Sequence, residues 1–420
     1  MLDPLSMERV KNSTLDCCRA CKADSPHVFL PYGDHAPAQM LIRPEDLDEE
    51  QPSFPLNAQV CLECGLIAVA DQIPENFFRH YLYIPSGAAT MHSHFDEFAS
   101  VLVERAGGDG LIVDIGSNDG LLLAACNGRG ARTLGIDPAE NIAELAAQKG
   151  VETYVDYFHP QSAADVKAKY GAAKVISTTN TFNHIGDLHN FMEAVCILLA
   201  DDGTFVIEVP RAKEMVERAE FDNMYHEHVS EFSLLSIVKL GAYFDLEVTD
   251  AKRLAKIHGG SMRVFLTRKA AGFPAQLIVA EMLAEELSGG MLDQSTYERQ
   301  VDAFNETGDI LREMLDDLKA KGLKIAGYGA SARGNTLITY FGVDGHYLDF
   351  LVDKNPLKHG LYSPNTRIPV KPVEAIEEEK PDVLFMLAWN FFDEIYAQQA
   401  DFRARGGRFL VPLPVPHLVD

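Results

Sequence analysis

Short apolar runs alternate with helix-periodic stretches through the middle and the end of this chain. In the first series the runs fall at 111–115, 133–136, 175–177 and 204–209, with helical spacing of apolar positions between them. Brief buried strands alternating with helices predict a doubly wound α/β sheet. From 271 to 320 the pattern turns helical and charged, with apolar residues at Leu277, Ala280 and Leu283 and again at Ile310, Leu311, Leu315 and Leu318. That stretch reads as a helical connector. A second α/β series follows, with strands at 324–327, 350–353, 383–387 and 408–411 and a helix running through Tyr340 after a glycine turn. Before residue 95 no long periodic segment appears; Pro31, Gly33 and an acidic, proline-containing stretch at 44–55 predict a loop-rich module. The expected division is 10–95, 96–270, 271–320 and 321–420.

A length of 420 residues suits such a division, because a single core stops growing well before that size. Lys and Arg number 37 against 62 Asp and Glu, a net charge of -25, which argues against nucleic acid or an anionic membrane as partner. An anionic substrate must therefore meet local basic residues or helix N-termini. No apolar run reaches 18 residues, and the first residues lack the basic-then-apolar character of a secretion signal.

Two C-x-x-C pairs, Cys18/Cys21 and Cys61/Cys64, leave Cys17, Cys126 and Cys196 unassigned, which does not resemble a disulfide framework and points to a reducing, cytoplasmic compartment. Each pair places two thiolates on one tight turn, and two turns complete a tetrahedral Zn2+ site. Gly65 suits the positive φ of such a knuckle, and Cys17 is an alternative to Cys18. Four cysteine ligands leave no open position, so the metal is expected to be structural. A redox dithiol or plain buried thiols are the alternatives.

Asp114, Gly116 and Gly120, with Ser117 and Asn118 between the glycines, form a strand-end turn of the kind that lets backbone approach S-adenosylmethionine; the G-x-G-x-x-G dinucleotide pattern is absent. Asp137 ends the next strand, where a carboxylate can accept both ribose hydroxyls, and it can also cap a helix ahead of Pro138. Farther on, Tyr225, His226, Glu227 and His228 concentrate ionisable groups after the strand at 204–209. In a local helix Tyr225 and His228 share one face, so a phenol and an imidazole converge on one substrate atom. Asn183 and His184 follow the strand at 175–177, at the strand ends where open α/β sheets bind ligands. A second turn, Gly327, Gly329 and Ala332, matches G-x-G-x-x-A, and Asp353 closes the following strand. By itself that pattern says NAD; it serves equally for the diphosphate of a nucleotide sugar, with Arg333 and Lys354 supplying charge, or for packing alone.

In this order the motifs resemble the bacterial sugar C-methyltransferase family, typified by deoxysugar 3-C-methyltransferases of antibiotic biosynthesis. The resemblance runs nearly end to end, through the paired cysteines, the 114–120 turn, Asn183-His184, Tyr225 to His228, Gly259 to Arg263, Gly327 to Thr336, Val352 to Pro356 and Trp389-Asn390. It implies a small zinc-binding domain, a central Rossmann-like S-adenosylmethionine domain and a C-terminal Rossmann-like domain that holds a nucleoside-diphosphate 4-keto-deoxysugar without NAD. By position, His228 is then the base, assisted by Tyr225, Glu227, His184 and Asn183, with Tyr83 of the Tyr81/Tyr83 pair closing the pocket. Gly329, Ser331, Arg333, Asn335, Asp353, Lys354 and Arg263 fall to the substrate, although Arg333 stands where the family carries a lysine. Carbon is a poor nucleophile unless a neighbouring ketone acidifies it, so the implied chemistry is base-generated enolate attack on the methyl donor. An NAD-dependent oxidoreductase, an O- or N-methyltransferase and a non-catalytic zinc adaptor are the competing readings.

Overall fold

The computed structural model describes residues 14–24, 26–70, 89–255, 257 and 259–420. Its centre is a seven-stranded sheet in the order Leu246–Leu254, Ser261–Arg268, Leu199–Pro210, Ala173–Thr179, Leu111–Ile115, Arg132–Ile136, Thr153–Tyr154. From Leu199–Pro210 to Thr153–Tyr154 the strands are parallel, and the first two run antiparallel. All five residues of Leu111–Ile115 are buried, as a strand covered by helices on both faces requires. Strand order reverses between Leu111–Ile115 and Ala173–Thr179, so the crevice beyond their carboxyl ends is where a ligand fits. The pair Leu246–Leu254 and Ser261–Arg268 escapes the sequence pattern because charged residues such as Glu247, Lys252 and Arg253 interrupt its edge strand.

A six-stranded C-terminal sheet repeats the principle in the order Val370–Lys371, Phe350–Val352, Ile325–Tyr328, Val383–Met386, Arg408–Val411, His417–Val419. All its pairings are parallel except the last. Helices Leu277–Ser288 and Gln294–Ala320 connect the two sheets. Their buried face is carried by Val279, Met282, Phe304, Leu311, Leu315 and Leu318, whereas Leu277 and Ile310 of the apolar pattern face solvent at 74% and 37% exposure.

The N-terminal module is a sheet rather than a set of loops. Strands His27–His35, Phe54–Val60 and Ile67–Ala68 pair antiparallel, and Ser230–Glu231 from the central region completes the set. Register shifts at Val28/Leu30 and Pro31/Gly33 break the apolar alternation, which hides the first strand from a period-two reading. One core cluster runs from Cys18, Cys61 and Cys64 into the central sheet, and a second joins Leu30, Leu56 and Val60 to the connector and the C-terminal sheet. Among the described residues no helix is long and apolar enough to cross a membrane.

Candidate active site

The four cysteines converge as their spacing demands. Cys18 Sγ lies 3.6 Å from Cys64 Sγ, Cys21 Sγ lies 3.4 Å from Cys61 Sγ, and all four fall within 4.8 Å of one another. A tetrahedron with Zn–S bonds of about 2.3 Å has edges of roughly 3.8 Å, so the donor set fits Zn2+. The knuckle closes by Gly65 N–H donating to Cys61 O at 2.7 Å, with Gly65 at φ +71°. Cys18, not Cys17, is the ligand.

At the carboxyl ends of the central strands lies a cavity of about 460 Å³. Gly116, at φ +70°, permits close approach: a Cβ there would stand 2.1 Å from Thr181 Oγ1. Asn118, at φ +47°, donates its N–H to Asp137 Oδ2 at 2.9 Å, and Ala139 N–H donates to Asp137 Oδ1 at 2.9 Å. Asp137 thus fastens the turn and the next helix start, while each oxygen keeps a lone pair for a ribose hydroxyl. Asp114 sits beneath the turn, accepting from Ser177 Oγ at 2.7 Å; burial pushes its carboxyl up to about 7. Ser117 Oγ, Asp119 Oδ1 and Asn180 Oδ1 are buried without a hydrogen-bond partner among the described residues, polar atoms that a ligand such as S-adenosylmethionine would satisfy. Pro138 lines the same cavity, as do Asp156, Phe158, Asn180 and Thr181, which the sequence reading missed. Asp156 had a signal, an acid just past the two-residue strand Thr153–Tyr154, but a strand that short shows no pattern.

His184, His226 and Glu227 form the far wall of this cavity. The Tyr225–His228 segment is a turn, not a helix: His228 N–H donates to Tyr225 O at 2.9 Å. The turn still brings the expected pair together, with Tyr225 Oη 2.5 Å from His228 Nε2. His228 Nδ1 faces Glu231 Oε1 at 3.0 Å, and Asn223 Nδ2 donates to the same oxygen at 2.6 Å. His184 Nδ1 donates to the Glu227 carbonyl at 2.5 Å, and its ring meets His228 edge-on at 4.9 Å. Burial, followed by His228, brings His184 down to about 3; burial, followed by Arg333, brings His228 down to about 3, so both imidazoles are neutral at pH 7. Glu227 accepts from Gln39 N–H at 2.9 Å through Oε1, its Oε2 has no partner among the described residues, and burial pushes its carboxyl up to about 7. Asn183 is 1% exposed, and neither amide atom has a partner among the described residues. Tyr83 lies outside the described residues.

On the other side of His226, Tyr225, His35, Ala38 and Asn335 close on one another without space for a ligand, so all three sheets meet at the turn. Asn335 Nδ2 donates to Ala38 O at 2.8 Å while its Oδ1 has no partner. Around the second glycine turn, Gly329 is at φ +101°, Asp353 accepts from Ala330 N–H at 2.9 Å and from Asn355 N–H at 2.8 Å, and Ser331 Oγ caps Gly334 N–H at 3.0 Å. Lys354 is exposed and 3.4 Å from Glu394; Lys358, missed in the sequence, is buried on Ala330 O at 2.8 Å.

Two arginines differ from expectation. Arg333 makes a bidentate pair with Asp222 at 2.8 and 3.1 Å, reaches Glu220 at 3.5 Å and stacks over Trp389, so it joins the central and C-terminal sheets instead of standing free for a phosphate. Arg263 is fully buried, bonded to Glu208 at 2.7 Å and Glu97 at 3.1 Å over the Phe98 ring. Burial inside that ion pair removes Arg263 from the substrate set.

Comparison with known proteins agrees with this arrangement. Residues 18–78 match a zinc binding domain family, 91–251 a methyltransferase domain family and 256–414 the C-methyltransferase C-terminal domain family. The C-methyltransferase NovU of Streptomyces niveus is 36% identical over 410 residues, 97% of each chain. Among solved structures, magnesium protoporphyrin IX methyltransferase from Synechocystis PCC 6803 covers 42% of this chain and 83% of its own at 14% identity and TM-score 0.34. An S-adenosylmethionine-dependent methyltransferase from Clostridium acetobutylicum covers 42% and 92% at 12% identity and TM-score 0.35. The assignment rests on the full-length relative and the three family matches: the chain belongs to the sugar C-methyltransferase family and is an S-adenosylmethionine-dependent C-methyltransferase with a structural zinc site.

Proposed function

We propose that the enzyme methylates the carbon next to the ketone, C3, of a nucleoside-diphosphate 4-keto-6-deoxysugar in the cytoplasm, through an enolate. The observation that carries the reading is the shared wall: the donor cavity ends on His184 and Glu227, and directly behind them stands a buried Tyr225–His228 pair. Gly116, Gly120, Ser117 and Asp137 would hold S-adenosylmethionine, which supplies an electrophilic methyl group when bound. His228, neutral at working pH, takes the proton from the sugar carbon. Tyr225 shares its hydroxyl hydrogen with the ketone oxygen as negative charge develops there, with Asn183 and His184 as further polar support. Glu227, protonated to about pH 7, adds no fixed negative charge against an enolate. Such groups are typically worth about two to four decades of rate each.

The nucleotide sugar would bring its ring to Tyr225 and its diphosphate toward Gly329, Ser331 and the helix Ala332–Tyr340. That helix N-terminus and Lys354 offer local positive potential on an acidic protein. The test is incubation with methyl-labelled S-adenosylmethionine and a panel of thymidine-, guanosine- and cytidine-diphosphate 4-keto-6-deoxysugars. A labelled methyl on carbon, seen by NMR, is the expected result; a methyl on oxygen overturns the reading.

A further inference from the structure

The wall that carries Tyr225 and His228 is not held by the central domain alone. Val229, the residue after His228, has its carbonyl engaged by Arg19 Nη1 and by Val69 N–H, both from the zinc module. Next, Ser230–Glu231 pairs with Ile67–Ala68, the strand that follows the Cys61/Cys64 knuckle, in the register Ile67↔Glu231 and Ala68↔Ser230. Two residues on, Ser233 Oγ donates to Cys64 O at 3.0 Å. A strand of two residues has no stability of its own, so its position is set by the sheet it joins.

That strand carries Glu231, which is 1% exposed and has a single engaged oxygen. Oε1 receives Asn223 Nδ2 at 2.6 Å and faces His228 Nδ1 at 3.0 Å, while Oε2 has no partner among the described residues. Asn223 Nδ2 can only donate and takes one lone pair of Oε1; burial pushes the Glu231 carboxyl well above its usual range, and with the carboxyl hydrogen on Oε2 the second lone pair of Oε1 accepts from His228 Nδ1. Fixing the hydrogen on Nδ1 leaves the lone pair on Nε2, the nitrogen turned to Tyr225. The groups facing this imidazole are Tyr225, His184 and Glu231, with Arg333 at longer range.

We infer that Glu231 is a positioning residue that selects the Nδ1–H tautomer of His228 and keeps a lone pair on Nε2 beside Tyr225, and that the zinc module is the frame that places it. The inference rests on His228 being the base. When Nε2 takes the proton from the sugar carbon, that C–H bond breaks, its electron pair enters the enolate, and the imidazolium formed keeps its Nδ1–H on Glu231. The zinc-binding module thereby acts on the chemistry through a backbone pairing.

The test labels histidine with 15N and identifies the His228 resonances by their loss in His228→Asn. In the wild-type protein the expected signature is a protonated Nδ1 and an unprotonated Nε2; an Nε2–H tautomer overturns the inference without any variant at position 231. Glu231→Leu is expected to lower kcat about 100-fold or more, with KM and donor affinity within about threefold, and to lose the tautomer signature. Glu231→Gln, which keeps an acceptor oxygen, is expected to restore both to within about tenfold. A Glu231→Leu enzyme with kcat within threefold of wild type sinks the inference while leaving His228 as the base; a His228→Asn enzyme that still turns over sinks the underlying reading instead.

Discussion

The two glycine turns look alike in sequence and differ in what surrounds them. At the first, Gly116 and Asn118 border a cavity of about 460 Å³, and Ser117 Oγ, Asp119 Oδ1 and Asn180 Oδ1 have no partner there among the described residues. At the second, Ser331 caps its own helix, Asp353 holds the turn backbone through both oxygens, and Arg333 is paired with Asp222 across to the central domain. A glycine motif therefore reports backbone geometry; the polar atoms left over report the ligand. By that criterion the first turn is built around a whole cofactor, whereas the second has its polar groups engaged within the protein, with Asn335 Oδ1 left without a partner among the described residues.

The largest effect should come from filling the first turn. Gly116→Val puts a Cβ 2.1 Å from Thr181 Oγ1 at φ +70°, and calorimetric titration should find donor affinity lowered by at least about 100-fold. Gly329→Ala, at φ +101° and 2.8 Å from Ala388 Cβ, should leave donor affinity within about twofold and raise KM for the sugar instead. Equal loss of donor binding in both would erase the distinction.

Arg333→Ala comes next. It takes the bidentate cation from Asp222, at 0% exposure, leaving that carboxylate only the Trp389 N–H at 2.9 Å, so denaturant unfolding should show a loss of about 3 kcal/mol. Raised sugar KM with unchanged stability would make Arg333 a phosphate ligand after all.

A smaller, pH-dependent effect belongs to Glu227. Burial pushes its folded carboxyl up to about 7 from an ordinary value of 4.5, so the stability it contributes is complete below pH 4.5 and is lost as pH rises through 7. Glu227→Gln should flatten that fall by roughly 2–4 kcal/mol between pH 4.5 and 8, measured as unfolding free energy against pH. Lys354→Ala should matter least: its side chain is 48% exposed and a surface pair contributes under about 1 kcal/mol, so thermal unfolding should be unchanged.

Sequence carried the two α/β units because buried parallel strands are continuous apolar runs; 111–115 and 408–411 coincide with Leu111–Ile115 and Arg408–Val411. The N-terminal sheet escaped because two bulges break its alternation. Tyr225 and His228 were brought together as expected, though by a turn, since three-residue spacing closes in either conformation. Arg263 was misread because a basic residue after two glycines looks the same whether it meets a phosphate or a buried Glu208. Glu231 left no trace beyond an acid three residues past His228, because its position depends on pairing with residues more than 160 positions away in the chain.

The central claim is enolate formation by His228. The most direct measurement is deuterium uptake from solvent at the carbon beside the ketone, with S-adenosylhomocysteine in place of the methyl donor so that no methyl can trap the enolate. Uptake by the wild-type enzyme and none by His228→Asn is the predicted result. No uptake by a wild-type enzyme that methylates the same sugar, or equal uptake by both proteins, would contradict the account.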